Sequence, residues 1–241
     1  MKILIFENYE QLCLKAAIFL EEKIKQNPKM VLGLVSGGTV VGVYQEIIQL
    51  FKEKKLNFSQ VKTFNLDEYL GLGAENKQSF AYFMQEALFS KVNLKKENIC
   101  LLSGKAKSPK EECLLYENKI KQAGGVDLQI LGLGTNGHLA FNEPGSSFKS
   151  KCRLVNLSLQ TRKDNSRFFK SLNYVPRQAL TMGLANILLS KEIILLASGE
   201  NKAKAVWALA RGHLTEDWPC SILQSHSKVT LFLDKKATSL L

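Results

Sequence analysis

Three observations predict an open, doubly wound α/β fold. Short aliphatic and β-branched runs recur at 2–6, 30–35, 61–66, 126–133, 191–198 and 228–233. Stretches of helical character separate most of them, at 8–26, 40–55, 78–90, 109–123, 177–188 and 201–211. The strand runs are nearly unbroken in apolar residues, as in Val126-Asp127-Leu128-Gln129-Ile130-Leu131. Strands covered on both faces read this way. Strand–helix alternation therefore predicts a mainly parallel, Rossmann-like sheet with helices on both faces.

The elements follow in order. Met1-Lys2-Ile3-Leu4-Ile5-Phe6-Glu7 is the first strand; it is too short and too soon charged for a secretory signal. No apolar run approaches the roughly 20 residues that span a bilayer. A cytoplasmic location is expected. With 241 residues, 45% hydrophobic and 23% charged, there is ample material for a core. No repeat or linker divides the chain, so residues 1–241 are expected to form a single domain. Residues 134–176 break the pattern with clustered Asn, Pro, Gly, Ser and basic residues, the composition of a binding loop, a lid or a plain surface excursion.

Charge and cysteines narrow the function. The net charge of +11 suits anionic partners, but the lysines are dispersed, as in Lys52-Glu53-Lys54-Lys55. No basic–aromatic alternation marks a nucleic-acid platform. Cys13, Cys100, Cys113, Cys152 and Cys220 are odd in number and widely spaced, without a CxxC. That argues against a disulfide framework and a zinc site, and for reduced, partly buried thiols.

An open α/β sheet binds ligands beyond the carboxyl ends of its strands. Four such points stand out. Ser36-Gly37-Gly38-Thr39 joins a strand to a helix. Its glycines admit an anion to the helix N-terminus, with two hydroxyl donors beside it; the alternative is a tight turn capped by Thr39. In Asn65-Leu66-Asp67-Glu68-Tyr69, adjacent carboxylates point to opposite faces of a strand. One can serve as a base toward a carbon acid, or Asp67 can cap the next helix.

The third point is Gly132-Leu133-Gly134-Thr135-Asn136-Gly137-His138, followed by Leu139-Ala140-Phe141-Asn142-Glu143-Pro144-Gly145. It matches G-x-G-x-x-G, but Asn142, Pro144 and Gly145 break helix at once. No acidic residue lies between Pro144 and Lys163. The dinucleotide fingerprint therefore fails in context. His138 remains, with Asn136 and Glu143 nearby; Glu143 can accept from one imidazole nitrogen and leave the other free to move a proton. The fourth point pairs Arg167 with Lys202, the latter placed after a strand at a helix start, as phosphate ligands or as solvated surface charges.

Together these segments resemble the glucosamine-6-phosphate deaminase family. The resemblance runs from the first strand to about residue 235. It also takes in Gly137-His138-Leu139-Ala140-Phe141-Asn142-Glu143-Pro144, Asn165-Ser166-Arg167-Phe168-Phe169, Val175-Pro176-Arg177-Gln178-Ala179-Leu180-Thr181 and Leu223-Gln224-Ser225-His226. It implies that His138 opens the sugar ring, held by Glu143 and Asn136, and that Asp67 carries a proton from C2 to C1. It also implies a phosphate site of Ser36, Gly37, Gly38, Thr39, Gly137, Arg167 and Lys202, and a lid at about 150–176 carrying Arg167. No metal or redox cofactor is implied.

Two departures matter. Many members have Asp where this chain has Asn136, so Glu143 is expected to stabilise an imidazolium alone. The allosteric members use a basic cluster and a C-terminal extension. Here Arg153 is followed by Val155 and Asn156, and the chain stops at Leu241. A monomer or small homo-oligomer without that response is expected. The rivals are a 6-phosphogluconolactonase-like hydrolase, which needs no Asp67, and a sugar-phosphate-sensing module of a repressor, which needs an N-terminal helix-turn-helix.

Overall fold

The computed structural model describes residues 1–241. The chain runs through β1 (Lys2–Phe6), α1 (Tyr9–Gln26), β2 (Val31–Leu34), α2 (Gly38–Lys52), β3 (Lys62–Asn65), β4 (Asp67–Tyr69), α3 (Phe80–Ala87), β5 (Ile99–Cys100), α4 (Pro109–Gln122) and β6 (Leu128–Gly132). It continues through β7 (Arg153–Asn156), α5 (Leu159–Asn165), β8 (Gln178–Thr181), α6 (Leu184–Leu188), β9 (Glu192–Ala197), α7 (Ala203–Arg211) and β10 (Val229–Asp234). No helix is long and apolar enough to cross a membrane.

Seven strands form one sheet in the order β1-β10-β9-β6-β2-β3-β5, and every pair is parallel. Ile193, Ile194, Leu195, Leu196 and Ala197 of β9 are all fully buried. Successive strand residues point to opposite faces, so both faces there are covered. This is the α/β architecture expected from the runs of apolar residues. One cluster of 55 buried residues forms the main core.

The order places β2 beside β6. Strands added after β2 extend to one side, through β3 and β5. Strands added after β6 extend to the other, through β9 and β10. The loops leaving β2 and β6 therefore diverge, and a crevice opens between them at the carboxyl edge.

A second sheet was not expected. β4, β8 and β7 form an antiparallel trio in which Thr181 pairs with Asp67 on one side and Arg153 on the other. The stretch 177–188, expected as one helix, is instead β8, a turn and the short α6. Gln178–Thr181 finds ladder partners on both sides, and that pairing overrides local helical preference. Beneath this sheet Tyr69, Phe141, Leu157 and Ala179 form a small second cluster. The rings of Phe80, Phe141 and Phe169 lie 4.8, 5.5 and 5.7 Å from that of Tyr69. Phe169 belongs to the segment after α5, so it docks that segment on the residue two positions after Asp67.

Gly183 sits where α6 meets the chain before β7, and a Cβ there would lie 2.1 Å from the Ser150 carbonyl oxygen. Gly183→Ala is expected to cost about 1–3 kcal/mol through this overpacking. Urea denaturation measures it. Gly132→Ala, whose Cβ would meet nothing within 4 Å, serves as the control and should unfold close to the parent.

Candidate active site

The carboxyl-edge crevice gathers most of the residues singled out in the sequence. From β2 comes Ser36-Gly37-Gly38-Thr39. Gly37 adopts φ 136°, a conformation that favours glycine, and opens α2 with no side-chain cap. Thr39 is inside the helix, so the capping alternative does not hold. Added Cβ atoms on Gly37 and Gly38 would meet nothing within 4 Å, so the loop faces open space. The Ser36 hydroxyl is buried without a hydrogen-bond partner. Tyr9 braces the turn: its hydroxyl donates to the Thr39 carbonyl at 3.0 Å and accepts from the Gly42 N–H at 2.9 Å.

Asn8, Ser79, Ser108 and Ser158 cap α1, α3, α4 and α5 through their side chains. The starts of α2 and α7, at Gly37 and Lys202, carry no side-chain cap. At α2 the free N–H groups and the positive end of the helix dipole suit an anion, whereas at α7 the preceding 3₁₀ turn already takes the Ala203 N–H to the Glu200 carbonyl.

The adjacent carboxylates divide their roles. Glu68, not Asp67, meets the helix: its carboxylate accepts from the N–H groups of Tyr69, Phe80 and Ala81 at 2.8, 3.0 and 2.8 Å. The last two are the first N–H groups of α3. Asp67 is 8% exposed and makes no hydrogen bond within the protein. Burial, with a smaller contribution from Glu68, pushes its carboxyl up to about 8 from an ordinary 3.8.

The β6 loop turns tightly, with Gly137 N–H donating to Gly134 and Gly134 N–H donating to His138. No helix opens at Gly137, as the failed fingerprint predicted. Gly134 lets the imidazole lie against the backbone, since a Cβ there would sit 2.3 Å from Nδ1. Gly137, expected at the phosphate, has φ 80°; its N–H serves the turn and its carbonyl accepts from Cys220. Its role is therefore to shape the loop.

Glu143 does not touch His138 directly, which corrects the expected pairing. Asn136 stands between them. Its Nδ2 donates to Glu143 Oε2 at 2.9 Å, and its Oδ1 lies 2.7 Å from His138 Nδ1. The His138 backbone N–H also donates to that Oδ1, at 3.2 Å. An N–H and a carboxylate thus both fix the amide with its oxygen toward the ring. Nδ1 must then carry the hydrogen, and Nε2 presents a lone pair. Burial holds His138 below the usual imidazole value, with Glu143 acting in the opposite sense and Lys202 reinforcing the shift. The far oxygen of Glu143 accepts from Thr161 and, at 3.4 Å, from Ser158, so α5 is tied to the histidine.

Lys202 ends a 3₁₀ turn, Glu200–Lys202, after β9. Asp234 fixes the approach by accepting from Ser198 Oγ at 2.6 Å and from Gly199 N–H at 3.1 Å. Burial lowers the proton affinity of Lys202, and the Arg167 guanidinium lowers it further. The two cations, 35 positions apart, therefore share one neighbourhood. Neither forms an ion pair. Arg167 stacks on Phe168, 4.8 Å from the ring centroid, in the turn after α5. Ser158, Thr161 and Asp234 were not singled out in the sequence. A serine before a helix signals a cap, but nothing local tells that Ser158 also reaches Glu143.

Comparison with known proteins fits this geometry. The sequence model of the family described as glucosamine-6-phosphate isomerases/6-phosphogluconolactonase matches residues 7–232. A glucosamine-6-phosphate deaminase of Thermoanaerobacter sp. (strain X514) is 47% identical over 241 residues, covering 100% of this chain and 95% of that one. One from Clostridium botulinum (strain Langeland / NCTC 10281 / Type F) is 49% identical over 239 residues, covering 99% and 98%. A solved monomeric glucosamine-6-phosphate deaminase superposes with a TM-score of 0.98 at 43% identity, over all of both chains. The 6-phosphogluconolactonase of Thermotoga maritima gives 0.77 at 20% identity, covering 97% and 99%, and shares the fold.

The environment of Asp67 makes a stability prediction. Its carboxyl binds a proton more tightly in the folded state, at about 8, than its ordinary 3.8. The folded state therefore holds more protons, and stability from this group is lost as pH rises from 3.8 toward 8. Asp67→Asn removes the loss. Urea denaturation across that window should show the variant gaining on the parent with rising pH, then a plateau. A constant difference would contradict the burial argument.

Proposed function

The chain belongs to the glucosamine-6-phosphate isomerase/6-phosphogluconolactonase family, and we propose that it is a glucosamine-6-phosphate deaminase that works by proton transfer between Asp67, His138 and the substrate. The reaction takes glucosamine 6-phosphate and water to fructose 6-phosphate and ammonia. The observation that carries the reading is that the carboxyl edge of the parallel sheet bears both a buried, unpartnered carboxylate and a neutral histidine whose Nε2 is free.

The phosphate binds at the uncapped start of α2, to Ser36, Gly38 and Thr39, with Lys202 and Arg167 supplying charge. Two unpaired cations beside each other support this, because an anion relieves their repulsion. Nε2 of His138 moves the proton of the anomeric hydroxyl to the ring oxygen, and the C1–O5 bond opens to the aldehyde. Asn136 holds the ring. Glu143 steadies the imidazolium through Asn136.

Asp67 then removes the proton from C2. The substrate arrives with an ammonium on that carbon, and a nearby positive charge lowers the proton affinity of the carboxylate. The electrons of the C2–H bond form a C1=C2 bond, the C1=O pair moves to O1, and O1 takes a proton from the ammonium; Asp67 then returns its proton to C1 of this enolamine, leaving a C2 iminium. Water adds to C2 of the iminium, the C–N bond breaks, and ammonia leaves a ketone. The residues from about 150 to 176 act as a lid over the substrate, delivering Arg167; the contact of Phe169 with Tyr69 supports that docking.

We further propose that the chain acts as a monomer in the cytoplasm. A monomeric relative supports the first. Arg153 is already engaged, donating to Asn142 Oδ1 at 2.8 Å, which argues against its service to an allosteric effector. Five unpaired cysteines suit a reducing compartment.

Ammonia and fructose 6-phosphate measured together from glucosamine 6-phosphate should appear in equal amounts. Asp67→Asn should cut kcat by about 10²–10⁴-fold, the usual range for losing a general base, with KM little changed. Turnover at the parent rate would remove Asp67 from the reaction. Lys202→Ala should instead raise KM roughly tenfold or more, as loss of a charged hydrogen bond implies. An unchanged KM would displace the phosphate from this site.

A further inference from the structure

Two thiols with no assigned proton-transfer role face one cavity between α4 and β7. Cys113 is inside α4 and 3% exposed; Cys152 is half-buried and directly precedes β7. Each perturbs the proton affinity of the other. The backbone supports the approach independently. Cys152 N–H donates to Glu117 Oε1 at 3.0 Å, and Glu117 lies one turn along α4 from Cys113. Asn186 donates to the same oxygen at 2.8 Å, pinning the carboxylate between the elements. Both cysteines line a surface cavity of about 630 Å³, together with Lys107, Lys110, Lys151 and Arg153. A small oxidant therefore has a route to them, past four cations and the Glu117 carboxylate. Cys13 and Cys220 lack such a partner: one adjoins Tyr9, and the other donates to the Ala205 carbonyl.

We propose that Cys113 and Cys152 are a reversible modification site, at which a hydroperoxide oxidises the pair to a disulfide joining α4 to β7. The Cys113 thiolate attacks one peroxide oxygen and the O–O bond breaks. With hydrogen peroxide this leaves a sulfenic acid and hydroxide, which takes the Cys152 proton to give water. The Cys152 thiolate then attacks the Cys113 sulfur, the S–O bond breaks, and the departing hydroxide collects a proton as a second water. Two electrons pass from the sulfurs to the peroxide. Two S–H groups and one hydrogen peroxide become one S–S bond and two waters. A dithiol reverses the bond by exchange.

The order of attack follows from the surroundings. Cys152 and the Arg153 charge favour the thiolate at Cys113, outweighing burial there, whereas Cys113 and burial raise Cys152. Neither thiol is assigned a proton-transfer or phosphate-binding role, so the peptide readout stands or falls independently of the deaminase reading.

The test uses the folded wild-type protein, treated with stoichiometric hydrogen peroxide, then alkylated with N-ethylmaleimide and digested without reduction. A cross-linked peptide joining Cys113 to Cys152, two hydrogens lighter than the sum of its parts and lost after dithiothreitol, is the expected result. In Cys152→Ser, dimedone should label Cys113 as its sulfenic acid. Alkylation of both cysteines after peroxide, or pairing of either with a different thiol, would overturn the proposal.

Discussion

The parallel pairing of β2 with β6 is the constraint on which the site depends. All seven strands of the large sheet point the same way, so their carboxyl ends share one edge. Connections leaving β2 and β6 must part there, because the next strands of each lie on opposite sides. The parting leaves space that backbone cannot fill, and the polar residues following each strand surround it. Ser36 and the glycines follow β2, Asp67 follows β3, His138 follows β6 and Lys202 follows β9. Four separate segments reach one crevice because the sheet allows their loops no other edge.

Burial gives these groups their chemistry. Asp67 and Glu68 are neighbours on one short strand, yet they face opposite environments. Three backbone N–H groups occupy Glu68, while Asp67 is desolvated and unpartnered. One carboxylate therefore secures α3, and the other keeps its lone pairs and a raised proton affinity. A similar logic keeps His138 neutral. Desolvation disfavours its charge, and Asn136 spends its oxygen on Nδ1, so the second nitrogen is left as a base. Replacing a carboxylate by an amide at position 136 does not break the chain of contacts. It moves the negative charge one residue outward, to Glu143.

The small sheet and the aromatic cluster under it join the segment after β7 to these residues. Thr161 and Ser158 hold Glu143, Phe169 packs on Tyr69, and Arg167 lies between those anchors in sequence. A segment tied at both places can bring its guanidinium toward Lys202 only against like-charge repulsion.

Much of this was legible in the amino-acid order. Unbroken apolar runs separated by amphipathic stretches specify a parallel sheet, since only strands covered on both faces tolerate such runs. Glycines and hydroxyls after the second run have the composition of an anion loop, and the helix breakers after Gly137 rule out a dinucleotide loop. What local order did not decide is which distant segments meet. Gln178–Thr181 carries no pattern that distinguishes strand from helix; β4 and β7 supply its partners. Glu143 and His138 lie close enough in sequence to suggest direct contact, but the fold of the loop inserts Asn136. Arg167 and Lys202, like Cys113 and Cys152, are brought together by docking of elements far apart in the chain. Periodicity records which face of a segment is buried, and only the packed sheet determines what it is buried against.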